Sequence, residues 1–279
     1  MVRKMSMRSR SRQLYDLGRL YLLPGTLLAV YAGVASYSEL TFSKSVKTFF
    51  AALLLNFVFF SPNDVFDRET DRRNERKGTM FEGLVKEKGF PEAVALTGIL
   101  ISYLVALISG GFLGLSLAAV TTASVLYSVP PVRLKTRPPF DSIINGLGVF
   151  FIFSTGVAIA GGSLSDVISG AYWFSAIGAG FHVLLAAPDI EADREAGLKT
   201  TAMYLGWRGS VITAQLIILT ALVFEQWSIL TRNFLIINLV GLSLMWKKWD
   251  KQNLIRIIFL GGLTMIVYLA YYAFSRGIV

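Results

Sequence analysis

The chain of 279 residues is 54% hydrophobic and only 16% charged, with no cysteine and a formal net charge of +9. A soluble domain of this length carries charge on about a quarter of its residues, so the composition points to a membrane protein. The absence of cysteine excludes disulfides, thiolate metal sites and a cysteine nucleophile.

In chain order, a basic segment, 1–14, comes first. The apolar run behind it is too long for a signal-peptide core and lacks a clear cleavage site. Apolar windows then predict nine transmembrane helices, near 18–37, 46–63, 91–109, 112–129, 142–161, 167–188, 209–227, 233–247 and 254–275. The eighth is short, and only Gly110-Gly111 separates the third from the fourth, so eight helices is the alternative. The expected fold is all-α. It is a multi-pass transmembrane bundle or barrel of about nine helices, one domain over 1–279, with its chemistry in a cap at one membrane face.

Charge orients the bundle. With nine spans, 23 of the 27 Lys and Arg residues, and 15 of the 18 acids, fall on the side of the N-terminus. The positive-inside rule puts the N-terminus and these loops in the cytoplasm of a cell-membrane protein. The basic residues are spread over several loops and mixed with acids, so they read as a topology signal and not as a nucleic-acid surface.

Three polar stretches interrupt the apolar pattern. The first, "PNDVFDRETDRRNERKGTM" (62–80), is expected to continue the second helix for a few turns and break near Gly78. At about 100° per residue, Asp64, Asp67, Asp71 and Glu75 share a stripe less than about 90° wide. The second, "YSVPPVRLKTRPPFD", follows the fourth helix. Its four prolines favour a stiff, extended loop, in which Arg133, Lys135 and Arg137 would all point the same way. The third, "PDIEADREAGLKTTA", follows the sixth helix and puts Asp189 and Asp193 on one face. Asp189 lies 125 residues after Asp64, a spacing that suggests a duplicated four-helix unit.

Carboxylates at this spacing destabilise one another unless a cation intervenes. Mg²⁺ takes oxygen ligands and is usually held by one or two carboxylates together with substrate phosphate oxygens. One such cluster alone reads equally well as a solvated loop neutralised by Arg68, Arg72, Arg73, Arg76 and Lys77. Two matched clusters at one face favour a metal–diphosphate clamp. Asn63, Asp64, Asp67, Asp71, Asp189 and Asp193 are the candidate metal ligands, and the five aspartates are the candidate catalytic groups. Arg72, Arg133, Lys135, Arg137, Arg194 and Lys199 are candidates for binding the diphosphate. Asn63 and Asn145 are either ligand contacts or helix caps. Tyr127 either shields a cation through its ring or is an interfacial aromatic. His182, the single histidine, lies two turns before Asp189 on the same face; it lines a cavity or serves as a hydrogen-bonded packing group.

The pair Asn63-Asp64-x-x-Asp67-x-x-x-Asp71 and Asp189-x-x-x-Asp193-x-x-x-Gly197 resembles the double signature of the UbiA superfamily of intramembrane prenyltransferases. That resemblance implies a helical barrel open to lipid, Mg²⁺ as cofactor, an isoprenyl diphosphate donor and a lipophilic acceptor in the bilayer. "NDVFDRETDRRNERKG", "YSVPPVRLKTRPPFD" and "PDIEADREAGLKTTA" are similar to the lycopene elongases, which favours a carotenoid acceptor. The spaced Arg133-x-Lys135-x-Arg137-Pro138 departs from the adjacent Lys-Arg common in quinone-type members. A quinone precursor or an archaeal ether lipid (geranylgeranylglyceryl phosphate) is the alternative acceptor. A carrier for anionic lipids is the reading of a different class, but its ionisable groups belong near the bilayer midplane, whereas these collect at helix ends.

Overall fold

The structure, a computed structural model, describes residues 10–68, 89–167, 169–224 and 229–244. Among these residues every regular element is helical. A short amphipathic helix α1 (Arg10–Leu17) precedes a 3₁₀ turn at Leu20–Leu22 and α2 (Leu23–Tyr37). Then come α3 (Phe42–Phe66), α4 (Phe90–Ser109), α5 (Gly111–Ser128), α6 (Phe140–Ile159) and α7 (Ser169–Ala186). A 3₁₀ turn at Ala187–Asp189 leads into α8 (Ile190–Glu195), followed by α9 (Thr201–Phe224) and α10 (Ile229–Leu244).

Seven helical stretches are long and apolar enough to cross a membrane by length and composition: Leu20–Tyr37, Phe42–Phe66, Phe90–Ser109, Gly111–Ser128, Phe140–Ile159, Gly170–Glu195 and Thr201–Phe224. They correspond to the first seven expected spans, so the protein is a multi-pass membrane protein. The eighth appears as the shorter α10, and the ninth, near 254–275, lies outside the described residues. Gly110-Gly111 does separate two helices, α4 and α5.

Two expected boundaries are corrected. The helix expected from 209 begins at Thr201, because the carboxylate of Asp141 caps its first turn, accepting from Thr201 N at 2.8 Å; Gly206 (φ 65°, ψ 178°) then kinks it. The helix expected to run on past Asp64 is interrupted at Asp67, which has non-helical dihedrals (φ −94°, ψ 0°); Arg68 is helical again, and the break expected near Gly78 lies outside the described residues.

Helix α6 is the hub. More of its apolar window is buried (56%) than of any other span, against 17% for the first. It packs on α2, α5 and α7. The approach to α2 is close enough that only glycine fits on either side. A Cβ on Gly33 would strike the carbonyl of Phe153, and one on Gly156 the carbonyl of Val30. Small residues that let backbones touch are the usual means of helix association in lipid, where apolar burial alone does not hold helices together. Buried hydroxyls add links: Ser102 to Thr121 at 2.7 Å joins α4 to α5, and Ser124 donates to the Val58 carbonyl at 2.6 Å, joining α5 to α3. Leu107 and Ile108, by contrast, face outward at 80% and 76% exposure, as a lipid-facing surface requires.

Gly156→Ala is therefore expected to destabilise the bundle by about 1–3 kcal/mol through overpacking against Val30 and Val34. Thermal unfolding in detergent checks this, with Gly25→Ala, where nothing lies within 4 Å of the added methyl, as the neutral comparison.

Candidate functional site

The C-terminal ends of α3, α5 and α7 and the starts of α2, α4, α6 and α9 lie at one end of the bundle, as alternation along the chain dictates. The described parts of the three polar stretches thus lie at a single face. At the end of α3, Asp64 and Asp67 are buried, at 7% and 5% exposure. Asn63 is half-buried beside them, its carbonyl accepting from Asp67 N at 2.9 Å. Asp71 and Arg72 lie outside the described residues.

Buried carboxylates need cations, and the chain supplies them. Arg19 forks onto Asp64, Nη2 to Oδ1 and Nε to Oδ2 (3.4 Å). Lys135 Nζ and Arg133 Nη2 (3.2 Å) both reach Asp67 Oδ1. Arg133 Nη2 also donates to the Phe66 carbonyl at 3.3 Å, where a cation suits the exposed carbonyls and negative dipole end of a helix.

The proline-rich loop is not the extended segment expected from its composition. Arg133 takes a left-handed conformation (φ 40°, ψ 60°) and opens a 3₁₀ turn at Leu134–Thr136. Alternation along a strand is thereby lost. Arg133 and Lys135 converge on Asp67, while Arg137 turns back to the Pro131 carbonyl at 2.9 Å. Burial pushes the Lys135 ammonium down to about 8, against the opposing pull of Asp193 and Asp64 and with the repulsion of Arg19. Those same neighbours show that carboxylates of both motifs lie within electrostatic reach of one lysine. Arg133 Nε is buried without a hydrogen-bond partner, and so is Ser128 Oγ at the end of α5. Orphaned buried donors are uncommon in native folds.

The second motif is built by a helix end and a left-handed glycine. Asp189 precedes α8, and Gly197 (φ 70°) ends it, with Gly197 N donating to the Arg194 carbonyl at 3.0 Å and Leu198 N to that of Asp193 at 2.9 Å. A side chain with a Cβ is disfavoured there. Asp193 and Asp189 are half-buried, and Thr200 Oγ lies 3.5 Å from Asp193 Oδ2. Arg194 is on another face of α8, exposed, and lines a separate cavity of about 540 Å³ with Glu191, Trp207 and Arg208. Lys199 is exposed in the loop before α9. The structure does not bring these two cations to the aspartates.

His182 ties three helices together. Its Nε2 meets the Tyr127 hydroxyl of α5 at 3.0 Å, and its Nδ1 the Ser142 hydroxyl of α6 at 3.2 Å. Tyr127 is within electrostatic range of Asp141, Asp193 and Arg19. It lines a small cavity with Asn145, Phe59 and Ser124. An apolar cleft of about 1040 Å³, lined by Phe57, Val94, Ile101 and Leu113 among others, runs between α3 and α4 and contains none of the carboxylates.

Three residues of the site escaped the sequence reading. Arg19 counted there only as topology, although an arginine entering a span is a signal in itself. Asn56, 0% exposed within an apolar run, holds the carbonyls of Gly18 and Arg19 and fixes the turn that aims Arg19. Asp141, 1% exposed, binds both the backbone N–H and the hydroxyl of Thr201. Its partner is 60 residues away, so local spacing gave no hint.

No group of three or more His, Cys, Asp or Glu side chains is gathered closely enough among the described residues to form a metal cage. The donor set of buried carboxylates nonetheless suits a hard divalent cation in kind.

Comparison with known proteins gives a consistent result. The model of the UbiA prenyltransferase family matches residues 22–258. A lycopene elongase/hydratase of Halobacterium salinarum is 34% identical over 225 residues, 76% of this chain and 78% of that one. Among solved structures, a UbiA homolog from Archaeoglobus fulgidus bound to GPP and Mg²⁺ superposes with a TM-score of 0.70 at 18% identity, covering 93% of this chain and 98% of the other. A digeranylgeranylglyceryl phosphate synthase superposes with a TM-score of 0.65 at 17% identity, covering 95% and 98%.

Asp141→Ala removes the cap on α9 and is expected to cost about 0.5–2 kcal/mol, with Asp141→Asn losing less because its side-chain oxygen still accepts from Thr201 N. Thermal unfolding in detergent ranks the two variants.

Proposed function

The chain belongs to the UbiA prenyltransferase family, and within it we propose a Mg²⁺-dependent transfer of an isoprenyl group from an allylic diphosphate to a carotenoid of the lycopene type. The observation that carries this reading is the meeting of two aspartate motifs with Arg19, Arg133 and Lys135 at one end of an apolar helical bundle. The Nε of Arg133, buried and without a hydrogen-bond partner among the described residues, adds an unsatisfied donor beside Asp67.

In this reading Asn63, Asp64, Asp67, Asp189 and Asp193 hold the metal, with Asp71 completing the first motif. Bound Mg²⁺ neutralises diphosphate charge and stabilises the charge that develops as the C–O bond breaks. Arg133 and Lys135 donate to the departing diphosphate, in the manner of cation clamps on a charged leaving group. Tyr127 presents its ring and hydroxyl at the boundary between the charged cluster and the apolar interior. The apolar helices exclude water that would quench an allyl cation. The cation's C1 bonds to a terminal alkene carbon of the acceptor, and the resulting tertiary cation loses a proton or takes up water. No covalent enzyme nucleophile is needed.

The acceptor assignment rests on the identity to a lycopene elongase/hydratase and on the spaced Arg133-x-Lys135-x-Arg137, while the match to the ether-lipid synthase extends to fold alone. Membership in a transferase family displaces the carrier reading. The distribution of Lys and Arg, 23 of 27 on one side, supports an active-site face and N-terminus in the cytoplasm.

Membranes containing the protein, given labelled dimethylallyl diphosphate, Mg²⁺ and lycopene, are expected to yield C45 and C50 products that chromatography resolves. Prenylated glyceryl phosphate or quinone precursors formed instead, with lycopene left unchanged, would overturn the acceptor. Asp67→Ala and Asp189→Ala are each expected to lower turnover about a hundredfold or more, and near-normal rates in both would sink the two-motif clamp.

A further inference from the structure

Arg19 is held in place at considerable structural expense. Its backbone lies in the left-handed region (φ 41°, ψ 51°), which is unfavourable for a residue with a Cβ. Asn56, fully buried in α3, sustains the turn by donating to the carbonyls of Gly18 and Arg19, and its own carbonyl oxygen accepts from Thr26 Oγ at 2.7 Å. The Phe57 ring fills the space beside Gly18, where a Cβ would come within 2.7 Å of it. The guanidinium that this arrangement aims is 5.0 Å from the centre of the Phe60 ring and contacts both oxygens of Asp64. The two side chains are 18% and 2% exposed.

A forked guanidinium occupies one lone pair on each carboxylate oxygen and sets a positive charge against the group that a metal would use. A divalent metal on Asp64 would meet that charge at close range, so the two cations disfavour one another at this carboxylate. Drawing Arg19 away from Asp64 gives up a charge-assisted contact made at low exposure, a loss that another anion within its reach offsets. A diphosphate brought into the same space supplies that anion. Arg19 itself is long enough to turn from one oxygen acceptor to another without moving its backbone turn.

We propose that Arg19 and a divalent metal compete for Asp64, and that the diphosphate of the donor settles the competition by taking the guanidinium, so that metal and donor bind as a coupled pair. The proposal rests on the donor reading given above. Coupling of this kind is reciprocal: the donor raises metal affinity by the same factor as the metal raises donor affinity. Removing the guanidinium should thus have effects of opposite sign on the two ligands, which a purely structural role for Arg19 would not produce.

The test uses purified full-length protein in detergent, with Mn²⁺ as the probe metal, its free fraction read by electron paramagnetic resonance, and dimethylallyl thiolodiphosphate as an unreactive donor analogue. Arg19→Gln removes the charge, and Arg19→Gly removes it while relieving the left-handed strain, so a folding defect in the first does not leave the question without a variant. Both are expected to bind Mn²⁺ alone about tenfold more tightly than the wild type, and to bind the analogue in the presence of Mn²⁺ about tenfold more weakly, within the usual range of coupling between sites. The wild type's rise in Mn²⁺ affinity on adding the analogue should shrink in both. Unchanged or weaker Mn²⁺ binding by the variants without analogue overturns the proposal, as does unchanged analogue binding. Failure of the donor reading itself shows elsewhere, in a wild type whose Mn²⁺ affinity does not respond to the analogue at all.

Discussion

Buried negative charge governs the polar end of this fold. Asp64 and Asp67 sit below a tenth exposure at the end of an apolar helix, where an ionised carboxylate without a counter-charge is prohibitively costly. The cations come from two other parts of the chain, the α1–α2 junction and the turn before α6. Delivering them requires unusual backbone: among the described residues the non-glycine positions with positive φ are Arg19 and Arg133, and both send their guanidinium to a motif aspartate. Strain that gathers at a charged cluster, and is sustained by buried groups such as Asn56, is the pattern expected of a functional site.

Helix α6 carries that arrangement through the bundle. Its N-terminal turn holds Asp141, which binds the start of α9, and Ser142, which binds His182 of α7. One turn on, the Gly146 carbonyl accepts from Ser175 of α7 at 2.7 Å, and near its far end Gly156 lies against α2. A single helix therefore sets the positions of α2, which follows the Arg19 turn, and of α7, which leads into the second motif. The His182 network belongs to this scaffold by its geometry, with both ring nitrogens engaged by hydroxyls from neighbouring helices. Tyr127, one of its partners, is also within electrostatic range of Asp193 and Arg19, so packing and site lie close together.

What the sequence disclosed was what local spacing encodes. Hydropathy windows give the seven long helices because a membrane span is a property of about twenty consecutive residues. The 3.6-residue period puts Asp64 and Asp67, and Asp189 and Asp193, together for the same reason. Gly197 matched the motif, and its left-handed conformation gives the physical cause. What remained hidden was fixed by tertiary contact. Arg19 meets Asp64 across 45 residues, and Asp141 meets Thr201 across 60. The proline-rich loop misled because proline fixes its own φ and restricts the residue before it, but says little about Arg133, whose left-handed turn is compensated by its contacts with Phe66 and Asp67. Alternate spacing then lost its meaning, and only two of the three cations reached the carboxylate.

A site made in this way differs from a preformed metal cage. In a cage, several unpaired carboxylates wait for a cation and must be held apart by the rest of the fold at a steady cost in stability. Here Asp64 and Asp67 are already neutralised by side chains, and the bundle end can pack tightly around them. A metal entering such a site gains only the difference between its own interaction with the carboxylates and that of the side chains it displaces. Most of the remaining driving force has to come from a second anion that recruits the displaced side chains. Mg²⁺ suits that role, since it commonly shares few protein carboxylates with substrate phosphates and surrenders its waters reluctantly. On the proposed function, the same cations that make the buried aspartates tolerable are the groups available to receive a diphosphate, so that stability of the fold and recognition of the donor would draw on one set of charges.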